Sequence, residues 1–257
     1  MTAPTPLLDF FKRGEAPLEA RQLAAEGVLA PRAHEQLAIL VLLLDDRDSD
    51  IRTTAQRTLD RIPVDALKAF LARADVPIGL REFFGDRGVF PAEIPAIDAD
   101  TPLIDVEPSD VAEGAAEGDR ETAVQLLAKM GFTERLKAAM KGTREMRAIL
   151  IRDPNKLIAA SVLSSPKMSD SEIESFARMA SVSEDVLRII GSNRAWTKNY
   201  SVVVGLTRNP KTPLAMSMNF MARLTDRDLG MLSVDRNVPE VLRVAARKKV
   251  VAASSSR

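Results

Sequence analysis

The sequence predicts an all-α protein, and three observations support this prediction. Apolar residues recur at three- and four-residue spacing along much of the chain, which is the period of an amphipathic helix. No segment alternates apolar and polar residues over enough positions to require a strand. Aromatic residues make up only 4 % of the 257 residues, which is few for a sheet protein that depends on aromatic cross-strand pairs.

The helical period is clearest in segments between residues 18 and 151. These segments are 18–25, 33–44, 51–62, 122–130, 133–140 and 144–151. Residues 202–206 open with three β-branched side chains, which also occur in strands. We assign 202–206 to a buried helix because of its position in an internal repeat.

That repeat appears when the chain is shifted by 44 residues against itself. The identical pairs are Asn155/Asn199, Pro166/Pro210, Lys167/Lys211, Phe176/Phe220 and Asn193/Asn237. The apolar pairs are Ile158/Val202, Val162/Leu206 and Ile190/Val234. Because proline cannot donate a helix hydrogen bond, Pro166 and Pro210 predict a helix end at the same point of each copy.

A shift of 162 residues relates the N-terminal third to the C-terminus. Residues 57–84 align without a gap on 219–246, with six identities in 28 positions. Leucine-rich helices can match one another by chance, but the shared Val-Pro-x-x-Leu-Arg after a charged turn favours a true repeat. Self-similarity of this kind is typical of helical arrays.

Asn-Pro-Lys-Thr-Pro at 209–213, Thr225-Asp-Arg-Asp-Leu and Arg236-Asn-Val-Pro-Glu resemble turns of the bacterial HEAT-like and leucine-rich-repeat-variant helical repeats. The resemblance covers about residues 36–84 and 133–249. It implies an α-α superhelix, a solenoid of stacked helices, and it brings no defined activity. The iron–sulfur cluster of one variant-repeat member cannot be carried over, since this chain has no cysteine.

The segment from Asp86 to Glu121 is acidic and contains four prolines, with 11 Asp and Glu against two Arg. Such a composition lacks the apolar surface that offsets ordering entropy. We therefore predict three parts: an N-terminal repeat block at 1–87, a flexible acidic linker at 88–121, and a C-terminal repeat block at 122–257. Residues 131–257 carry 22 Lys and Arg against 12 Asp and Glu, so the C-terminal block is basic.

Several kinds of catalytic and cofactor site are excluded or disfavoured. The absence of cysteine removes thiolate metal sites and thiol nucleophiles, and His34 is the single histidine. His34 lacks an evident nucleophile or acidic partner, so we interpret it as a surface or capping residue in the first turn of a helix. Asp45, Asp46, Asp48 and Asp50 do not follow a calcium-loop pattern and fit helix capping better than metal binding. No phosphate-cradling glycine loop is present, and we expect no cofactor.

The segment 193–200 is the strongest candidate for a binding site. It holds the only tryptophan and tyrosine, Trp196 and Tyr200, beside Arg194 and Lys198. On one helix the two aromatic side chains share a face, where they could anchor a peptide or stack a base. Alternatively, they pack between repeats.

The basic tail could grip phosphates or an acidic partner, or it could simply complement a helix dipole. The full set of candidate partner-binding residues is Arg194, Trp196, Lys198, Tyr200, Arg208, Lys211, Arg236, Arg243, Arg247 and Lys248.

These observations predict a non-enzymatic adaptor that binds another protein on the concave face of the C-terminal repeats. The alternative is nucleic-acid binding by the basic block, and a hydrolase or lyase is a distant third. The acidic linker could also pair with the basic block of the same chain. The longest apolar run, 37–44, is too short for a bilayer span of about 20 residues, and we expect a cytoplasmic protein with no membrane partner.

Overall fold

The computed structural model describes residues 5–29, 32–93, 103 and 123–255. Every regular element in these ranges is helical, and no strand occurs among them. The prediction of an all-α fold is confirmed. Val202 to Leu206 lie inside a helix, as the repeat predicted.

The described residues pack into two compact units. The first takes in the described residues up to Leu150 together with Ser161–Lys167, and the second takes in Ile151–Ala160 and the residues from Met168 onward. The first unit therefore contains residues on both sides of the acidic segment. The division into blocks at 1–87 and 122–257 stays a prediction.

The first unit contains nine helices in its described residues. They are α1 (Pro6–Lys12), α2 (Leu18–Ala25), α3 (Ala33–Leu43), α4 (Ser49–Asp60), α5 (Val64–Leu71), α6 (Ile78–Gly85), α7 (Ala123–Lys129), α8 (Phe132–Lys141) and α9 (Arg144–Leu150). The bounds agree with the predicted helical segments to within two residues. The core of the unit is aliphatic, and Leu7, Leu37, Leu40 and Leu136 are fully buried in it.

The following helices are short until the last. They are α10 (Lys156–Val162), α11 (Asp170–Arg178), α12 (Glu184–Ser192), α13 (Tyr200–Arg208), α14 (Leu214–Met221), α15 (Asp226–Val234) and α16 (Glu240–Ser255). Helix α11 packs against α13, α13 against α14, and α16 against both α14 and α15. The first residues of α10–α16 follow one another at intervals of 12 to 16 residues.

Polar side chains cap the N-termini of these helices. The Ser169 side chain accepts from the Glu172 amide, and the Glu172 carboxylate accepts from the Ser169 amide at 3.1 Å. The Asn199 side chain accepts from the Ser201 amide at 2.9 Å. Such caps satisfy amides that have no partner within the helix, so these side chains determine where each helix begins.

The shift of 44 residues relates α10 to α13 and α11 to α14, since both pairs of helices begin 44 residues apart. Helices α10 and α13 both end before the repeated prolines. The third pair, α12 and α15, begins only 42 residues apart. The predicted pairing of Ile190 with Val234 is therefore wrong: Ile190 is buried, Val234 is 71 % exposed, and Leu232 occupies the buried position instead.

The shift of 162 residues relates α5 to α15 and α6 to α16, whose first residues are 162 apart in both cases. The aligned apolar pairs are buried in both copies, and they are Leu67/Leu229, Val76/Val238 and Leu80/Leu242. An arginine from the second helix of each pair reaches an equivalent backbone carbonyl. Arg81 donates to the Leu71 carbonyl at 3.1 Å, and Arg247 donates to the Ser233 carbonyl at 3.4 Å.

Candidate partner-binding surface

Most of the predicted basic site residues are exposed in the second unit. Arg194 follows α12, Lys211 follows α13, and Arg236 follows α15, so each lies in the turn after a helix. Lys198 and Lys248 are exposed as well. These five side chains form no ion pair with a described residue, which leaves their charges open to a partner.

Three other predicted residues are engaged within the unit. Arg208 forms an ion pair with Asp235 at 3.1 Å, which ties the last residue of α13 to the C-terminal cap of α15. Arg243 is half-buried, and Arg247 donates to the Ser233 carbonyl. These side chains contribute to packing more directly than the five exposed cations do.

The segment 193–200 is not one helix, so the expectation that Trp196 and Tyr200 share a helix face is wrong. Trp196 lies in a single 3₁₀ turn, Trp196–Lys198, and Tyr200 is the first residue of α13. Between them Asn199 has extended backbone, with φ −70° and ψ 117°, because its side chain caps α13. Trp196 is half-buried and Tyr200 is exposed.

The hydroxyl of Tyr200 is bound within the unit. It donates to the carboxylate of Asp228, and it accepts from the backbone amide of Thr225 at 3.0 Å. Thr225 is the N-terminal cap of α15. The hydrogen bond from Tyr200 lowers the pKa of Asp228 below its ordinary value, with further lowering from Thr225.

The Tyr200 contact has a counterpart 44 residues earlier. Lys156, the first residue of α10, forms an ion pair with Asp185 in the first turn of α12 at 2.8 Å. In both copies, the first residue of one helix therefore reaches the acidic first turn of the helix two further along the chain. Tyr200 is a contact between helices of a repeat, in line with the alternative interpretation of this residue.

Asn209 is a structural residue whose role sequence reasoning missed. It is buried at the end of α13, and its side-chain amide donates to the carbonyl of Ala177 at 2.9 Å and to that of Met179 at 3.0 Å. Its side-chain oxygen accepts from the Lys211 amide at 3.0 Å. The repeated Asn-Pro-Lys sequence was a signal for a turn, and the turn also holds the C-terminal ends of α11 and α13 together.

In the first unit, His34 lies in the first turn of α3, as predicted, and is half-buried. Asp48 caps α4 by accepting from the Asp50 amide at 2.9 Å, which confirms the capping interpretation for Asp48. Asp46 pairs with Arg21. Burial opposes ionisation of Asp46, but hydrogen bonds from the Asp48 amide and from Arg21 lower its pKa overall.

The acidic segment lies largely outside the described residues. Leu103 is described, and its backbone amide donates to the side-chain oxygen of Gln36 in α3 at 3.0 Å. Gln36 in turn donates to the carbonyl of Gly27 at 2.9 Å. The predicted pairing of the linker with the basic block stays a prediction.

No family model, no curated protein and no solved structure matches this chain. Among the residues that the structure describes, no group of three or more His, Asp or Glu is placed to hold a metal ion. The described helices include none that is both long and apolar enough to cross a bilayer. Arrangement and charge of the side chains are therefore what bears on function.

Proposed function

We propose that this chain is a non-enzymatic helical-repeat adaptor that binds a partner protein on the concave face of its C-terminal repeats, in the cytoplasm. The matching contacts Lys156–Asp185 and Tyr200–Asp228 carry the repeat part of the proposal. Helices that repeat the same contact with the same neighbour stack in one direction. Stacked helical repeats offer an extended surface, and such surfaces are what repeat proteins use for binding.

The exposed cations supply the recognition part of the proposal. Arg194, Lys211 and Arg236 occupy the turns after α12, α13 and α15, so similar charges recur from helix to helix. Half-buried Trp196 lies two residues from Arg194. Arginine and tryptophan are enriched among residues that dominate binding energy at protein interfaces.

The experiment is affinity purification of the tagged full-length protein, with and without nuclease. A stoichiometric protein that survives nuclease supports the adaptor. The double variant Arg194→Glu/Lys211→Glu and the single variant Trp196→Ala are expected to lose it. Arg57→Glu, at an exposed position in α4, is the control for altered net charge. Retention of the partner by both test variants contradicts the proposed surface.

Nucleic-acid binding is the second candidate, and the charge of the second unit favours it. This unit contains 16 Lys and Arg against ten Asp and Glu. Phosphate contacts predict an affinity that falls steeply with salt. Charge reversal at Arg194, Lys198, Lys211 and Lys248 is expected to abolish duplex binding, whereas binding that persists at high salt and fails in Trp196→Ala favours the protein partner.

A further inference from the structure

The last helix of the second unit has one buried face and one exposed apolar face. Leu242 and Ala246 of α16 are buried in a core that also contains Val203, Leu229 and Leu232. On the other side of α16, Val241 is 59 % exposed and Val244 is 40 % exposed. Residues 241, 244 and 248 follow at three- and four-residue spacing, so they lie along one face of the helix.

The valines gain nothing for the isolated chain at these positions. Valine is a poorer helix former than alanine, lysine or glutamate, because its branched side chain loses rotamer freedom in a helix. In water its methyl groups also forgo the stabilisation that burial provides. Two such residues one turn apart therefore indicate a surface that is covered in the functional state.

Helix α13 shows what covers an equivalent helix. α13 packs against α11 and α14, and its side chains Val202, Val203, Leu206 and Thr207 are all buried. α16 packs against α14 as α13 packs against α11. Among the described residues, however, no helix takes on α16 the position that α14 takes on α13. The open face therefore matches the side of a helix.

The charge of α16 specifies which helix fits. The helix carries Arg243, Arg247, Lys248 and Lys249 against the single carboxylate of Glu240. A second copy of α16 would bring like charges together, which is unfavourable at an interface. A membrane surface is a weaker fit, because interfacial helices use tryptophan, phenylalanine or leucine on their apolar face and the exposed face of α16 presents valine.

We propose that the face of α16 formed by Val241, Val244 and Lys248 docks an amphipathic helix of the partner protein, apolar along one side and acidic beside it. This inference rests on the proposed function, since it names the chemistry of the partner. The valines provide the apolar contact, and Arg247 and Lys248 pair with carboxylates at its margin.

The test measures binding of a fluorescent synthetic helix to the full-length protein by anisotropy. The probe is a peptide of about 18 residues, long enough to form a helix, with leucine at one face and glutamate elsewhere. A second peptide carries lysine in place of every glutamate. The wild type is expected to bind the glutamate peptide and not the lysine peptide.

Val241→Asp/Val244→Asp is expected to weaken binding about tenfold or more, equivalent to about 1.4 kcal/mol. Lys248→Glu is expected to weaken it as well and to reduce its salt dependence. Val64→Asp changes an exposed valine of α5 and is the matched control, expected to bind as the wild type does. All the substituted positions are exposed, and circular dichroism checks that each variant is folded.

Equal binding by the double variant, or no binding by the wild type, overturns the proposal. A wild-type dimer that Val241→Asp/Val244→Asp converts to a monomer identifies a second copy as the occupant instead. Binding of phosphatidylserine vesicles that this variant loses identifies a membrane. Binding that appears only after the carboxylates of residues 104–121 are neutralised identifies the chain's own acidic segment. Each of these three results also overturns it.

The inference and the proposed function fail separately. A purified partner that binds Val241→Asp/Val244→Asp normally and fails with Arg194→Glu/Lys211→Glu removes the inference and leaves the adaptor. Peptide binding without any protein partner in the purification removes the adaptor and leaves the docking face.

Discussion

Tyr200 donates a hydrogen bond to the carboxylate of Asp228, and this contact fixes the first turn of α13 to the first turn of α15. At the other end of the same two helices, Arg208 pairs with Asp235. Because both N-terminal ends and both C-terminal ends are joined, α13 and α15 run parallel. The pair is thus held at both ends by polar contacts.

Tyr200→Phe is expected to lower the free energy of unfolding by about 1 kcal/mol, the usual net worth of a hydrogen bond. Since the Tyr200 hydroxyl lowers the pKa of Asp228, the variant is expected to raise that pKa toward its ordinary value of 3.8. Carboxyl NMR titration measures the shift.

The sign of the pH effect follows from the lowered pKa of Asp228. Its ionised form is favoured by folding, so the associated stability is present at neutral pH and is lost as the pH falls below 3.8. The difference between wild type and Tyr200→Phe is therefore expected to narrow in acid. A difference that stays constant with pH contradicts the role given to Asp228.

Asn209→Ala is expected to destabilise the protein by about 2–3 kcal/mol, because the buried carbonyls of Ala177 and Met179 lose their donor. Urea denaturation measures the change. Asn237→Ala is the matched control, since Asn237 is an exposed asparagine in the turn after α15, and it is expected to change stability by no more than about 0.5 kcal/mol. Equal effects of the two substitutions would show that the Asn209 bridge has no special weight.

Two glycines inside helices are expected to respond to alanine in opposite directions. A Cβ at Gly205 in α13 lies 3.0 Å from Cγ of Arg178 and 3.2 Å from Cβ of Ala177, whereas a Cβ at Gly230 in α15 meets nothing within 4 Å. Gly205→Ala is expected to cost about 1–3 kcal/mol through overpacking. Gly230→Ala is expected to add about 0.5–1 kcal/mol, because alanine is the better helix former.

Thermal unfolding of the two glycine variants gives the comparison directly. A melting temperature that rises for Gly230→Ala and falls for Gly205→Ala fits the close approach of α11 to α13. If Gly205→Ala also raises it, the approach of these helices is looser than the structure places it.

Glu35 in α3 is fully buried and accepts a hydrogen bond from the Thr5 hydroxyl. Burial raises its pKa from 4.5 to about 7, and the Thr5 hydrogen bond and Arg32 limit the rise. The folded protein therefore favours the protonated acid. Its stability is full below pH 4.5 and falls as the pH rises toward 7.

Glu35→Gln is expected to remove this pH dependence and to be the more stable protein at pH 8. A shift of this size corresponds to about 3 kcal/mol. Urea denaturation at pH 5 and pH 8 measures the effect, and the wild type is expected to lose more stability between the two than the variant does. Parallel loss in both proteins would place the titration elsewhere.

The helices could be predicted from the sequence wherever an apolar period was uninterrupted. The bounds of α2 match the predicted segment 18–25 because a proline precedes that helix and a glycine follows soon after it. The break at Asn199 was missed, because a single asparagine side chain ends the helical geometry there and no proline marks the position. The position of Val234 was wrong because α15 begins two residues early within its repeat.

The candidate site could be predicted only in part. Charge marks Arg194, Lys211 and Arg236 as surface residues, and the structure places all three in turns. Tyr200 was assigned to an aromatic anchor because the sequence does not show that Asp228 lies beside it. Val241 and Val244 read as core residues in any periodic analysis, and only their exposure in the structure marks them as a surface.

Each helix from α10 to α15 is seven to nine residues long. An isolated helix in water needs about 12–15 residues to be even marginally stable. A peptide copied from any one of these segments is therefore expected to be a random coil. Helicity here is a cooperative property of neighbouring segments, so these helices are expected to form and melt together with the contacts that join them.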